Sequence, residues 1–409
     1  MSLKNIVEKL SVKALVDCNE IFNNFEKIAE HNQQKVLKAF IDSRISERHI
    51  NCYTSGYGYE DIGRDALDNL YARYFGAESA LVRASFVSGT HALTVAMFGI
   101  LRPKDEFLCI TGKVYDTLNG VIDYFKDFNI EYRQIDLTKE GHINFEHIEN
   151  NIKNNTKIVY IQKSRGYSLR PAITCKEIEK VVEIVKNISK NCVILVDNCY
   201  GEFVEKCEPT AVGADLVVGS LIKNPGGGIA KTGGYIVGKK YLVNMCAERL
   251  TVPGIGREVG CSLLSVRDLF LGFFYAPGVV KEALKVNTFA SYLFEQLGYE
   301  VFPKYNEYRA DIVAAIILGN RQKLIKFCQA IQNYSPIDSF LKLEPWKMPG
   351  YEDEIVMASG SFTSGSSIEI SADAPLRNPF AVYLQGGLNF YSGKFAVIKA
   401  AEKILDDER

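Results

Sequence analysis

The chain has 409 residues, 47% hydrophobic and 24% charged, a composition typical of a globular protein long enough for two domains. A formal net charge of -1 disfavours a nucleic-acid or anionic-membrane partner, because both recruit basic surfaces. Ten cysteines without CxxC pairs and five histidines without paired spacing indicate reduced thiols and no metal site. Since we find no signal-peptide pattern and no long uncharged apolar run, we expect a cytoplasmic protein.

The chain begins with a polar stretch of helical periodicity. Apolar residues recur at roughly helical spacing through residues 1–50, which predicts a helical arm that packs on the body or on a neighbouring subunit. A loop rich in glycine and tyrosine follows from Asn51 and includes Tyr57 and Tyr59. These two tyrosines suit an anionic ligand but are equally compatible with packing of the loop.

Strands and helices then alternate along the chain, which predicts an α/β domain over residues 51–284. Short apolar or β-branched runs mark the strands, at 79–84, 107–110, 131–135, 157–161, 193–197, 216–218 and 235–238. In an open α/β sheet, ligands bind outside the carboxyl ends of the strands. The residues that follow each predicted strand are therefore the candidates for the site.

Two of these strand ends carry an acid and a lysine. Val193-Ile194-Leu195-Val196 reads as a buried strand that ends at Asp197, and the strand after it is followed by Ser220 and Lys223. Pyridoxal phosphate requires such a pair, because the lysine forms an imine with its aldehyde while the acid keeps the pyridine nitrogen protonated. Taken singly, Lys223 is compatible with a solvated loop lysine and Asp197 with a helix cap.

Two further segments fit the same cofactor. Ser88-Gly89-Thr90 precedes a predicted helix over 90–101, where free N–H groups, hydroxyls and the helix dipole suit a phosphate. Tyr115 follows the second strand and is placed to stack on a cofactor ring, although core packing is an equal alternative. Nucleotide binding is disfavoured, because the glycine-rich stretch 226–234 lacks the order of a Walker loop.

The last part of the chain predicts a smaller domain. Residues 266–297 are apolar and interrupted by Pro277-Gly278, which predicts a helix that breaks there and a connector into an α+β domain over 285–409. We expect strands at 300–302, 311–318 and 367–370, and helices at 322–333 and 393–406. Arg377 stands in the turn after the last of these strands.

Taken in order, Ser88-Gly89-Thr90, Tyr115, Asp197, Ser220 and Lys223 resemble the cofactor-binding set of one large enzyme group. This group is the pyridoxal-phosphate enzymes of the aspartate-aminotransferase fold (fold type I), and the cystathionine and methionine lyases are its most similar branch. The stretches 56–65, 87–92 and 220–228 resemble the methionine γ-lyase-like family, also labelled aluminium-resistance proteins. The resemblance implies a seven-stranded, mostly parallel large domain and a smaller α+β C-terminal domain.

The resemblance also implies roles for matching residues. Lys223 matches the imine lysine, Asp197 the partner of the pyridine nitrogen, and Tyr115 the stacking aromatic. The phosphate would be held by the turn and by the strand-end hydroxyl, through Ser88, Gly89, Thr90 and Ser220. Tyr57 or Tyr59 matches a tyrosine that reaches the phosphate of a neighbouring subunit, which implies a homodimer or homotetramer with shared active sites.

The chain departs from the lyases where they bind the substrate. They have an arginine two residues after the loop tyrosine, where this chain has Tyr59. They also hold the substrate carboxylate with an arginine two residues before a C-terminal serine, where this chain has Glu369 before Ser371. As replacements we expect Arg377, then Arg165, then Arg257, although Arg377 is equally compatible with a surface or interdomain ion pair.

The resemblance implies a pyridoxal-phosphate-dependent carbon–sulfur lyase that performs β- or γ-elimination on a sulfur amino acid. Lys223 would act as the base that removes the α proton, and Tyr115 would assist the proton transfer. Two alternatives stay open. One keeps the cofactor but changes the reaction to that of an aldolase, an aminotransferase or a decarboxylase, and the other is a cofactor-binding protein without catalysis.

Overall fold

The protein contains two β-sheets with helices packed around them. The computed structural model describes residues 3–52, 54–55, 57, 59–260, 262 and 266–406. The larger sheet has seven strands in the order β1-β7-β6-β5-β4-β2-β3. The pairs β1–β7 and β7–β6 are antiparallel and the others are parallel, so the predicted seven-stranded, mostly parallel sheet is confirmed.

The larger sheet is built from alternating strands and helices, as the hydrophobic pattern predicts. Its strands are β1 (Ser79–Arg83), β2 (Glu106–Cys109), β3 (Glu131–Gln134), β4 (Thr156–Gln162), β5 (Val193–Asp197), β6 (Leu216–Ser220) and β7 (Gly234–Gly238). The helices of this region are α4 (Ile62–Phe75), α5 (Gly89–Ile100), α6 (Asn119–Asp123), α7 (Phe145–Asn151), α8 (Cys175–Ile188) and α9 (Lys240–Leu250).

Strand β5 shows why both faces of this sheet are covered. Every residue of β5 is buried. Ile194 and Val196 belong to one apolar cluster, whereas Val193 and Leu195 belong to another. Because successive side chains of a strand point to opposite faces, an uninterrupted apolar run needs a packed layer on each side. The polar Asp197 at the end of the run is therefore exceptional.

The helix that precedes β5 begins at a sequence signal. Thr174 caps α8: its hydroxyl accepts the Glu177 N–H at 3.2 Å, while the Glu177 carboxylate accepts the Thr174 N–H at 2.8 Å. This reciprocal pair is a capping box, which satisfies two backbone donors that a helix start leaves free. This capping box sets the start of α8, the helix that leads into β5.

The N-terminal arm packs on the body of its own chain. Residues of the arm form α1 (Leu3–Asp17), α2 (Asn19–Asp42) and α3 (Glu47–Ile50). Helix α2 buries Phe25, Val36 and Ala39, and the Glu26 carboxylate pairs with the Lys281 Nζ at 3.1 Å. The predicted helical periodicity of the arm is thus observed.

A single long helix, α10 (Val266–Gln296), joins the two sheets. The predicted break at Pro277 is wrong, because the helix continues through this residue. Proline removes only one hydrogen bond from the helix, and the buried Phe273, Ala276 and Val280 anchor both of its halves. The expected domain boundary at residues 284 and 285 falls inside this helix.

The smaller sheet is antiparallel, with five strands in the order β10-β11-β12-β9-β8. Its elements are β8 (Glu300–Phe302), β9 (Val313–Ile317), α11 (Arg321–Asn333), β10 (Ile355–Ala358), β11 (Ser371–Pro375), β12 (Ala381–Gln385) and α12 (Phe390–Leu405). The expected strand at 367–370 is displaced, since β11 begins at Ser371. Arg377 therefore follows β11 and precedes β12, which the sequence pattern did not reveal.

Within the described ranges, none of the helices combines the length and the apolar character that crossing a membrane requires. The nine described cysteines all carry free thiols.

Candidate active site

Three parallel strands bring the predicted acid, hydroxyl and lysine to one edge of the larger sheet. Strand β5 pairs with β4 on one side and with β6 on the other, so Asp197 and Ser220 end neighbouring strands, and Lys223 follows three residues later. A cavity of about 280 Å³ lies at this edge. It is lined by most of the predicted cofactor residues, namely Ser88, Gly89, Thr90, Tyr115, Asp197, Ser220 and Lys223.

The buried Asp197 carboxyl accepts two hydrogen bonds. Its Oδ1 accepts the Cys199 N–H at 3.1 Å and its Oδ2 accepts the Tyr160 hydroxyl at 3.3 Å. Burial raises the pKa of Asp197, and these hydrogen bonds oppose the rise without cancelling it. A cationic group in the cavity would stabilise the carboxylate at close range.

Lys223 extends its amine toward the loop that precedes β11. Its Nζ donates to the Gly365 carbonyl and to the Ser367 Oγ, each at 2.8 Å, and lies 5.2 Å from the centre of the Tyr200 ring. Burial lowers the pKa of Lys223, whereas the nearby Asp373 carboxyl opposes that shift. A lysine with a lowered pKa holds more of its neutral, nucleophilic amine near neutral pH.

The start of helix α5 forms the opposite end of the cavity. Ser88 caps this helix, and its Oγ accepts the His91 N–H at 3.0 Å. A Cβ added at Gly89 would lie 3.1 Å from the Ser220 Cβ, so glycine allows the helix start and the strand end to approach each other. The Thr90 and Thr117 hydroxyls are 2.9 Å apart. Backbone N–H groups and three hydroxyls therefore converge beside the cavity.

The ring of Tyr115 forms one wall of the cavity. A Cβ added at Gly166, where φ is 57°, would lie 3.0 Å from this ring, so the glycine leaves room for it. The Tyr115 hydroxyl lies 3.3 Å from the Tyr351 hydroxyl, and the ring contacts Tyr167 edge-on at 5.3 Å between centroids. Burial raises the pKa of Tyr115 well above its usual range, so its hydroxyl keeps its proton at neutral pH.

Several side chains at the cavity were not singled out from the sequence. Tyr200 stands three residues after Asp197 with φ of 70°, a strained conformation that is found disproportionately at functional sites. Its hydroxyl is 3.2 Å from the Ser367 Oγ. The spacing from Asp197 was the one available signal for Tyr200, whereas Ser367 lies in the loop that precedes β11 and had none.

The contacts of Glu369 explain why this chain has a glutamate where the lyases have an arginine. Its carboxylate accepts the backbone N–H groups of Phe362 at 2.7 Å and Thr363 at 2.9 Å. These contacts hold the loop in which the Gly365 carbonyl accepts a hydrogen bond from the Lys223 Nζ. Glu369 therefore orders the loop against the lysine.

Five of the predicted site residues do not line this cavity within the chain, namely Tyr57, Tyr59, Arg165, Arg257 and Arg377. Tyr57 and Tyr59 are exposed, by 92% and 67% of their surface. Arg257 lies in a separate cavity, where its Nη2 contacts Asp68 at 3.1 Å and the Ala80 carbonyl at 2.6 Å. Its guanidinium is occupied by these partners, so the chain places it away from Lys223.

Arg165 and Arg377 line a second cavity of about 210 Å³ that adjoins the first. The two cavities share Tyr115 and Gln162 as walls. Arg377 pairs with Asp353 at 3.0 Å and with Asp116 at 3.5 Å, and Arg165 lies 3.5 Å from Asp311. The chain thus brings two of the three candidate arginines to the neighbourhood of Lys223.

The comparisons with known proteins agree with this architecture. A Campylobacter jejuni structure, described as an O-acetylhomoserine (thiol)-lyase with a pyridoxyl-lysine monophosphate, superposes with a TM-score of 0.58 at 15% identity. The alignment covers 83% of this chain and 86% of that one. The chain therefore has fold type I, as expected from the sequence.

Much closer relatives extend over the whole chain. A Clostridium novyi structure, described as a carbon-sulfur lyase involved in aluminum resistance, has 48% identity and a TM-score of 0.94 over 98% of this chain and 96% of that one. The Bacillus subtilis protein YnbB, described as uncharacterized, is 45% identical over 98% of this chain and 97% of its own length. A family profile described as methionine gamma-lyase matches residues 7–405. The chain belongs to the methionine γ-lyase family.

Proposed function

We propose that the protein is a pyridoxal-phosphate-dependent carbon–sulfur lyase that acts on a sulfur amino acid by β- or γ-elimination. The observation that carries this proposal is the single cavity shared by Lys223, Asp197, Ser220 and the start of α5. When bound, pyridoxal phosphate supplies an aldehyde for an amine and a ring that accepts the electron pair left by a departing proton. The family membership and the Clostridium novyi relative support the same class of reaction.

The residues fit the two ends of this cofactor. At one end, the α5 N-terminus offers free N–H groups and hydroxyls, and the bare Gly89 leaves space for a phosphate. At the other end, the buried Asp197 would hold a proton on the ring nitrogen through its opposite charge. The Tyr115 ring would stack on the cofactor between them.

The chain's own groups would then move the proton. The Lys223 amine, freed by the amine of the substrate, would take the α proton, because its lowered pKa favours the neutral form. The Ser367 hydroxyl and the Gly365 carbonyl orient this amine. The protonated Tyr115 hydroxyl would donate a proton to a leaving thiolate, and Arg165 and Arg377 would bind an acidic group of the substrate.

We also propose that the active unit is a cytoplasmic homodimer or homotetramer with shared sites. The exposed side chains of Tyr57 and Tyr59 do not line the Lys223 cavity of their own chain. A neighbouring subunit is the partner that such tyrosines would reach. We also propose that the chain is organised as an arm (1–50), a large domain (51–284) and a small domain (285–409).

Turnover of a panel of amino acids tests the reaction. Purified protein with pyridoxal phosphate is incubated with cystathionine, methionine, cysteine, threonine and alanine, and the keto acid and thiol products are measured. A thiol with a keto acid in equal amounts supports the lyase. Aldehyde from threonine, a keto acid from alanine that forms only with an added keto acid as amino-group acceptor, or carbon dioxide would instead identify an aldolase, an aminotransferase or a decarboxylase. A normal cofactor spectrum without any turnover would indicate a binding protein.

A further inference from the structure

Two cysteines that are 32 positions apart in the chain meet beside the start of helix α8. Cys175 is the first residue of α8 and is buried, and its Sγ donates to the Cys207 carbonyl at 3.1 Å. Cys207 is half-buried, so one thiol of the pair can be reached from solvent. A disulfide requires two sulfur atoms at about 2 Å, which only neighbouring cysteines can reach.

The two thiols hold their protons with unequal strength. A hydrogen bond with Cys207 raises the pKa of Cys175 well above its usual range, and burial adds to the rise. The same hydrogen bond lowers the pKa of Cys207 to about 7, and the Lys35 ammonium acts in the same direction, against burial and the Glu208 carboxyl. Because the thiolate is the form of cysteine that attacks oxidants, Cys207 is the nucleophile of the pair at neutral pH.

The surrounding contacts hold the start of α8 against the segment 203–208. The Glu205 carboxylate accepts the Cys175 N–H at 3.2 Å and the buried Lys163 ammonium at 2.7 Å, both at Oε2. Asn32 of α2 donates to the Glu205 carbonyl at 3.0 Å. These contacts keep the two thiols together without a covalent bond between them.

We propose that Cys175 and Cys207 are a redox-active pair that hydrogen peroxide oxidises to an intramolecular disulfide. The Cys207 thiolate attacks one peroxide oxygen, so the O–O bond breaks, hydroxide leaves and the sulfur becomes a sulfenic acid. The Cys175 sulfur then attacks the sulfenic sulfur, which forms the S–S bond and releases water. In total the two thiols lose two electrons and two protons, and one peroxide is reduced to two molecules of water.

Peroxide treatment of the holoprotein at neutral pH tests the pair directly. The remaining thiols are alkylated in denaturant, and the peptides are analysed by mass spectrometry before and after reduction with dithiothreitol. We expect Cys175 and Cys207 to be lost first, joined in one linked pair of peptides that dithiothreitol separates. Alkylation of the native protein should label Cys207 at least about tenfold faster than Cys52, which is also half-buried but lies beside the Asp61 carboxylate.

Serine variants separate the two steps. Cys175→Ser keeps a hydroxyl in the same place but has no second sulfur, so oxidation should stop at a sulfenic acid on Cys207 that dimedone traps. Cys207→Ser removes the nucleophile, so Cys175 should stay reduced at a peroxide dose that oxidises the unchanged protein completely. Cys52→Ser is the matched control and should form the same disulfide as the unchanged protein.

The peptide map of the unchanged protein decides the question even if a serine variant does not fold. Cys175 and Cys207 that stay open to alkylation while Cys52 is oxidised would overturn the pair, as would a linked peptide that joins either of them to a different cysteine. Neither thiol lines the Lys223 cavity, so this result is independent of whether the protein is a lyase.

Discussion

The two adjoining cavities differ in how the chain builds them. The Lys223 cavity takes its main groups from the ends of neighbouring strands and the start of one helix, which are local features of the sequence. The adjoining cavity instead combines Arg165 and Arg170 with Arg377, which lies far along the chain in another sheet's connection.

Binding a cofactor and selecting a substrate place different demands on the residues of a cavity. A cofactor has fixed chemistry, so its ring nitrogen, aldehyde and phosphate each need one type of partner. Substrates vary, and the groups that select them can come from any loop near the site. Substitutions in the two cavities should therefore have different effects: those in the first should abolish the chemistry, and those in the second should change which substrate is accepted.

The largest effect is expected from Lys223→Ala. Because this variant lacks the amine that would hold the cofactor and take the proton, we expect turnover to fall by at least about 10³-fold and the visible absorbance of the bound cofactor to disappear. Lys231→Ala is the matched control, since Lys231 is 71% exposed and pairs with Asp268. An unchanged absorbance spectrum in Lys223→Ala would remove this residue from the account.

Asp197→Asn should have the next largest effect. The amide keeps the shape of the carboxyl but loses the charge that would hold a proton on the ring nitrogen, so we expect kcat to fall by roughly 10²-fold with the cofactor still bound. Absorbance titration with pyridoxal phosphate measures retention of the cofactor, and steady-state kinetics measure the loss. Asp268→Asn should retain normal turnover. Normal kcat in Asp197→Asn would contradict the assigned role.

Most of the candidate residues in the Lys223 cavity could be predicted from the sequence, because they follow strands whose apolar patterns are clear. Asp197 ends a run of four apolar residues, and the larger sheet places this end beside Ser220. The contact between Lys223 and Ser367 was not predictable, since it joins loop residues that are 144 positions apart in the chain. Charge balance around Arg165 was equally hidden, because a sequence does not show which buried groups share a partner.

Gly89→Ala should weaken cofactor binding without removing the chemistry. The added methyl would lie 3.1 Å from the Ser220 Cβ and 3.4 Å from the Cys199 Sγ, so the strand end must move by a few tenths of an ångström. We expect affinity for pyridoxal phosphate to fall by about tenfold, measured by absorbance titration. Gly120→Ala is the control, because a Cβ there meets no atom within 4 Å. Equal affinities in the two variants would argue against a phosphate at the α5 start.

The smallest effect concerns the pH at which Lys223 reacts. Burial lowers the pKa of its ammonium in the folded protein, so the neutral amine appears at lower pH than in a free lysine. We expect labelling of cofactor-free protein by pyridoxal phosphate and cyanoborohydride to reach its half-maximal rate at a pH below the ordinary lysine pKa, as followed by peptide mass spectrometry at Lys223. A midpoint at or above the ordinary lysine value of about 10.4 would contradict the lowered pKa.

The central claim is that Lys223 holds pyridoxal phosphate beside Asp197. Reduction of the purified holoenzyme with borohydride, followed by proteolysis and mass spectrometry, tests it most directly. The account predicts one covalent pyridoxyl phosphate for each chain, on the peptide that contains Lys223. A protein that takes up no pyridoxal phosphate, or that carries the label on a different lysine, would contradict it.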